Sequence, residues 1–245
     1  MKGIETITIG YDKLMYAKCI HNSNILYQDA WKNIQKRKLM DTIMSKMNTS
    51  IHGSIIVWWL SQYKMKNTKL LEIGTFCGTN VMAISSILPN VSITTIDLRS
   101  DDKRLKGFYS LPANSIEAMK RNRSRLNSEQ CPNISFLEMS STMLHRSLPQ
   151  QNYELIWIDG DHTTFGPYND LHYALTVADA NTLILMDDVF ANDPSNATIA
   201  ALRYLEADYE LNYIFIQKRR NEEKVIAAII KGNMDHVHPL TKITG

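Results

Sequence analysis

The sequence predicts an α/β fold, a doubly wound, Rossmann-like and mostly parallel sheet, on three observations. From residue 69 onward, short apolar runs rich in β-branched residues alternate with helix-like segments, the pattern of βαβ units with right-handed crossovers. Glycine or acidic residues then close four of those runs: Gly74, Asp97, Asp159 and the pair Asp187–Asp188. These are the carboxyl ends of the strands, where open α/β sheets bind their ligands. Finally, the last two apolar runs flank a polar turn, which makes a closing antiparallel hairpin.

The elements follow in order. Residues 12–48 are polar but punctuated by Ile25, Leu26, Trp31, Ile34, Leu39, Ile43, Met44 and Met47 at roughly helical spacing, so residues 1–48 are expected to form a helical N-terminal extension and 49–245 the α/β domain. Thr49 and Ser50 are cap residues for a helix through Ile55, Ile56, Trp59 and Leu60. Lys69–Ile73 is the first strand and Gly74–Gly78 its loop. Residues 79–88 form a helix with Val81, Ile84 and Leu88 on one face, stopped by Pro89. Val91–Ile96 is the second strand, ending at Asp97. Residues 115–128 and 195–207 read as helices, and Ile134–Leu137, Leu155–Ile158 and Thr182–Met186 as strands. Tyr213–Gln217 and Lys224–Ile230 pair across Lys218–Glu223.

The chain has 245 residues, enough for one large domain that needs no metal or disulfide staple. Hydrophobic residues at 44% and charged residues at 21% exclude a disordered tail or a fibre. Lys plus Arg (27) against Asp plus Glu (25) is too balanced to call for a nucleic-acid partner. Cys19, Cys77 and Cys131 are odd in number and scattered, which fits reduced thiols in the cytoplasm. The longest apolar stretch, Ile55–Leu60, is far short of the ~20 residues that span a bilayer.

The loop Glu72-Ile-Gly74-Thr-Phe-Cys-Gly78 lacks the GxGxxG spacing of a dinucleotide site. Asp97, 25 positions after Glu72, is placed to take the hydroxyls of a ribose. Two acids and no phosphate-binding lysine suit a cationic adenosine ligand better than ATP. The segment LLEIGTFCGTNVMAISSILPNVSITTIDL resembles the cofactor loop and ribose-binding strand of class I S-adenosylmethionine-dependent methyltransferases, and EIGTFCGTN is similar to the loop of catechol O-methyltransferase and its metal-dependent relatives. The resemblance runs over residues 47–190. It implies a cofactor site of Glu72, Gly74, Thr75, Gly78, Asn80, Asp97, Ser141 and Asp159, with Glu72 supporting the loop, Asp97 on the ribose and Ser141 at the adenine.

IWIDGDH (Ile156–His162) and LILMDDV (Leu183–Val189) resemble the metal-binding segments of the same enzymes, implying Asp159, Asp187 and Asp188 as oxygen ligands of Mg²⁺. The catechol enzyme has Asn where Asp188 stands, and Asp-Asp is more like the antibiotic-sugar and macrolide enzymes. Asp161 or Asp188 also reads as a loop or helix cap. His162 lies where the catechol enzyme keeps its catalytic lysine, and imidazole suits a general base; it reads equally as a histidine hydrogen-bonded within its own loop.

The expected activity is S-adenosylmethionine-dependent O-methylation of a small hydroxylated molecule. Alternatives are a metal-independent N- or RNA methyltransferase and a non-catalytic binding module. Asp159-Gly-Asp-His in place of an Asn/Asp-Pro-Pro-aromatic motif weighs against amino-group methylation. Arg99–Pro112 is a long polar loop expected to serve as a substrate lid. Lys120, Arg121, Arg123 and Arg125, like Lys36, Arg37 and Lys38, read as solvated helix faces, and His236 and His238 as part of a mobile tail. The Trp58–Leu60 helix suits a homodimer interface.

Overall fold

A computed structural model describes residues 25–30, 52–61, 67–104, 113–148, 151–163, 165–193, 195–217 and 224–231. Residues 25–30 are helical (α1). They are followed by α2 (His52–Ser61), β1 (Lys69–Ile73), α3 (Thr79–Ile87), β2 (Ser92–Asp97), α4 (Ala113–Arg123) and β3 (Ile134–Glu138). A 3₁₀ turn at Ser141–Met143 leads into the single-turn α5 (Leu144–Ser147). The second half runs β4 (Leu155–Ile158), α6 (Gly166–Val177), β5 (Leu183–Val189), α7 (Ala197–Leu205), β6 (Leu211–Gln217) and β7 (Val225–Lys231).

One seven-stranded sheet results, in the order β3-β2-β1-β4-β5-β7-β6. The five strands β1 to β5 pair in parallel, while β7 is antiparallel to both β5 and β6. The expected strands and closing hairpin are all present. The order reverses between β1 and β4, so the carboxyl ends of these two strands open a crevice.

Strand alternation builds both layers of core. Leu70, Leu155, Trp157, Leu183 and Leu185 point to one face and pack with α2, α3 and Tyr27. Leu71, Ile156, Ile158, Ile184 and Met186 point to the other and pack with α6 and α7. Period-2 strands with both faces apolar are what a sheet covered on both sides requires. The α2 helix is buried from Gly53 to Leu60, and Trp59 Nε1 donates to the Glu154 carbonyl. Trp58, Trp59 and Leu60 therefore belong to the chain's own core, not to a free dimer face.

The α6 helix was not expected from the sequence. Its signals are present in retrospect: Pro167 in the first turn, then Leu171, Ala174 and Leu175 at helical spacing. The helices at α4 and α7 end at Arg123 and Leu205, a few residues short of the expected limits. Among the described residues no helix is long and apolar enough to cross a membrane. Most of the N-terminal extension, the Thr49–Ser50 cap, residues 105–112 of the proposed lid, Lys36–Lys38, the Lys218–Glu223 turn and His236–His238 lie outside the described residues.

Candidate active site

The loop after β1 is shaped by backbone that side chains rarely allow. Gly74 (φ 102°) and Gly78 (φ 75°) are left-handed, and so is Phe76 (φ 48°). Gly74 N and Thr75 N both donate to the Ile96 carbonyl at the end of β2 (2.9 and 3.2 Å). A Cβ on Gly74 would lie 2.0 Å from the Asp159 carbonyl oxygen. Glycine is thus required where the loops after β1 and β4 touch.

Behind the loop runs a buried polar chain. The Tyr27 hydroxyl donates to Asn80 Oδ1 (2.7 Å), Asn80 Nδ2 donates to Glu72 Oε1 (2.7 Å), and the Thr95 hydroxyl donates to Glu72 Oε2 (2.5 Å). The hydroxyls of Thr75 and Thr95 are 2.5 Å apart. Glu72 is 1% exposed. Burial pushes its carboxyl from the ordinary 4.5 up to about 7, against the pull of the Thr95 and Asn80 hydrogen bonds. With the folded value raised, this group supports the fold fully at low pH and loses that support as pH rises through about 7. Glu72→Gln keeps an acceptor for Asn80 and cannot ionise. Its melting temperature is expected to gain on the parent between pH 5 and 8, by up to about 3 kcal/mol of stability. Parallel melting profiles for the two proteins would refute this.

A cavity of about 510 Å³ opens at the crevice, within the range of small-molecule sites. Gly74, Asp97, Ser141, Asp159 and His162 line it, as the sequence led us to expect. Glu72, Thr75, Gly78 and Asn80 do not; they brace the loop from behind. The cavity is also lined by Arg104, from the expected lid, by Asp161, which the sequence offered as a loop cap, and by Phe165 and Asn169, which it did not single out. Phe165 is an aromatic side chain 73% exposed at the N-terminal end of α6. Its signal was that helix, which went unrecognised.

Asp97 accepts from Phe76 N (2.6 Å), Leu98 N (2.7 Å) and Arg123 Nη2 (2.7 Å). Burial raises its carboxyl above the usual range, while the Arg123 charge and the two amides pull it back. Arg123 is itself only 3% exposed, which corrects the expectation that it lies on a solvated face. The neighbouring Lys120 and Arg121 are exposed as expected.

At the end of β4, His162 Nε2 lies 3.3 Å from Asp159 Oδ1 and 4.0 Å from Asp188 Oδ2. Asp161 does not hold the imidazole; its Oδ1 accepts from the Thr163 amide and hydroxyl. Burial pulls the His162 pKa down, but the Asp159 hydrogen bond and the charges of Asp159, Asp188 and Asp187 outweigh it and leave the ring above its usual value. Asp188 is left-handed (φ 52°) at an irregularity in the β5–β7 ladder, a strained backbone of the kind that collects at functional sites. The Thr198 hydroxyl donates to its carbonyl (2.8 Å).

Asp187 is 2% exposed on β5, and Lys224 Nζ sits 2.8 Å from Asp188 Oδ2. Neither Asp187 nor Asp188 lines the cavity. A hard dication needs several oxygens within about 2.0–2.6 Å of one point. Among the described residues no three His, Cys, Asp or Glu side chains meet that demand. The three aspartates as arranged, with an ammonium against one of them, do not fit the magnesium ion that the resemblance implies.

A seven-stranded sheet in the order β3-β2-β1-β4-β5-β7-β6, parallel but for the closing β7, is the Rossmann-like methyltransferase fold. Residues 71–189, just under half of the chain, match the family model of a methyltransferase domain. The chain's structure is similar to the S-adenosylhomocysteine-bound methyltransferase PaMTH1 of Podospora anserina (16% identity, 85% of this chain and 88% of that one, TM-score 0.57). It is also similar to a candidate O-methyltransferase of Klebsiella pneumoniae (16% identity, 85% and 90%, TM-score 0.54) and a candidate caffeoyl-CoA O-methyltransferase of Staphylococcus aureus (16%, 84% and 92%, TM-score 0.52). At such identity these likenesses speak for the fold alone. No curated protein matches the chain.

Proposed function

We propose that the protein is an S-adenosylmethionine-dependent O-methyltransferase acting on a small hydroxylated molecule. The observation that carries this reading is that Gly74, Asp97 and Ser141 line the same cavity as the Asp159–His162 pair. A cofactor held by the first three would present its methyl group in a chamber that also contains a base. In the neutral ring, Nε2 donates to Asp159, so the lone pair lies on Nδ1. That nitrogen accepts the proton of the acceptor hydroxyl as the oxygen attacks the methyl carbon. The carbon–sulfur bond breaks in line and its electron pair returns to sulfur, leaving a neutral thioether. Little other chemistry is needed, so alignment of the two reactants supplies much of the rate. The S. aureus and K. pneumoniae likenesses are in keeping with oxygen as the acceptor atom.

The reading takes residues 1–48 as the extension that helps build the acceptor pocket, and a cytoplasmic location, in keeping with the free thiols of Cys77 and Cys131. No step is routed through magnesium. The Lys224–Asp188 contact is in keeping with a transfer that proceeds without a metal.

The test is a thermal shift with S-adenosylhomocysteine, with and without Mg²⁺ and with a chelator. Ligand at 100 times its dissociation constant stabilises by about 2.7 kcal/mol, a rise of about 5–10 °C for a domain of this size. No rise at saturating ligand sinks the proposal. A rise enlarged by Mg²⁺ and returned to its metal-free size by Asp187→Asn assigns a metal to the carboxylates. A rise indifferent to Mg²⁺ selects the metal-independent transferase.

A further inference from the structure

We propose that Arg123 is the positioning residue of the ribose subsite, holding Asp97 and the two loops beside it in the shape the cofactor binds. This rests on the cofactor reading above. Arg123 does not line the cavity, so it acts through its neighbours. Its fork spends each nitrogen on a different acceptor: Nε on the Phe76 carbonyl (2.5 Å), Nη1 on the Leu98 carbonyl (2.7 Å) and Nη2 on Asp97 Oδ2 (2.7 Å). The guanidinium carbon lies 5.5 Å from the Phe136 ring centroid. One side chain from α4 thereby ties the loop after β1 to the backbone that follows β2.

Two features give this staple a purpose beyond packing. Phe76 is held in the left-handed region (φ 48°), a conformation costly for a bulky residue. Its amide donates to Asp97 while its carbonyl accepts from Arg123. The strained peptide is thus fastened at both ends by the Arg123–Asp97 pair. The second feature is the acceptor count at Asp97. An ionised carboxylate offers about four lone-pair sites. Leu98 N takes one on Oδ1, and Phe76 N and Arg123 Nη2 take both on Oδ2. One site on Oδ1 remains. Asp97 therefore grips one ribose hydroxyl rather than the two expected from sequence, and its orientation is set before ligand arrives. Ordering done in advance is not charged against binding.

The test is the dissociation constant of S-adenosylhomocysteine, measured by calorimetry on the full chain and on Arg123→Met, Arg123→Lys and Leu205→Ala. Arg123→Met is expected to weaken binding about 30-fold, the size of one charge-assisted hydrogen bond. Arg123→Lys keeps the charge without the fork and is expected to fall between that variant and the parent. Leu205→Ala, a buried change in α7 away from the cavity, lowers stability and should leave affinity within about 2-fold of the parent, as expected for a site sharing no partner with the subsite. Parent-like affinity in Arg123→Met, or equal weakening in Leu205→Ala, overturns the proposal. Should Arg123→Met not fold, Arg123→Lys decides alone, and parent-like affinity there overturns it. If the parent protein binds no S-adenosylhomocysteine, the cofactor reading falls and this inference with it; if only the variants behave as the parent does, the inference falls by itself.

Discussion

Replacing Gly74 by alanine is expected to lower the melting temperature by about 12 °C and to remove the stabilisation by S-adenosylhomocysteine. Two costs combine. An L residue forced to φ 102° carries about 1–3 kcal/mol of backbone strain. The new methyl would also meet the Asp159 carbonyl oxygen at 2.0 Å, its carbon at 2.4 Å and Gly160 N at 2.8 Å. These are backbone atoms at the end of a central strand and cannot rotate away. Relief of such a clash costs about 1–3 kcal/mol more. Together they make about 4 kcal/mol, or about 12 °C at roughly 3 °C per kcal/mol for a domain of this size. Binding suffers with stability because the displaced atoms border the cavity: Gly74, Asp159 and Gly160 all line it. Differential scanning fluorimetry with and without ligand checks both effects. An alanine variant that melts and binds like the parent would falsify the loop geometry described here.

Removal of the Asp97 carboxylate is expected to be nearly as severe, for an electrostatic reason. In Asp97→Ala the Arg123 guanidinium remains 3% exposed without its counter-ion. Breaking one partner out of a buried pair typically costs about 3–5 kcal/mol, which is about 10 °C here. With Asp97 as the proposed ribose acceptor, that contact is lost at the same time, so the ligand-induced rise should disappear. The double variant Asp97→Ala/Arg123→Met separates the two consequences. Without the stranded charge it should melt above Asp97→Ala alone, while still failing to bind S-adenosylhomocysteine. A double variant no more stable than the single one would mean that the Asp97–Arg123 attraction does not account for the loss, since the coupling of contacting residues shows in such a cycle.

The strands and their ends were legible because both are local. KLLEI, VSITTI and LILM are short, apolar and β-branched, and residues that follow a parallel strand face the ligand crevice whatever the helices do. That reasoning singled out Gly74, Asp97 and Asp159, and the family resemblance added Ser141 and His162; all five line one cavity. It did not separate lining from bracing. Glu72 and Asp97 are both acids near a strand end, yet Glu72 is sealed behind the loop by Asn80 and Thr95 while Asp97 borders the cavity.

Arg123 shows the same limit more sharply. On a helix of Lys120, Arg121 and Arg123, charge alone marks every basic residue as solvated. Only the packing of α4 against the loops after β1 and β2 turns Arg123 inward, onto acceptors 25, 26 and 47 residues away in the chain. The acidic cluster was likewise legible as three aspartates after two strands. What surrounds Asp188 was not legible: the β5–β7 ladder shifts between Met186 and Val189, and the last hairpin brings Lys224 to 2.8 Å from the Asp188 carboxylate.

The sequence by itself therefore determined the class of fold, the glycine loop after β1 and the acid after β2, since these rest on period-2 apolarity, glycine and strand-end position. Tertiary structure alone decided which polar groups touch the cavity and which hold it in shape, and what stands beside Asp188. Burial and pairing of charge depend on contacts between residues distant in the chain, and no local pattern encodes them.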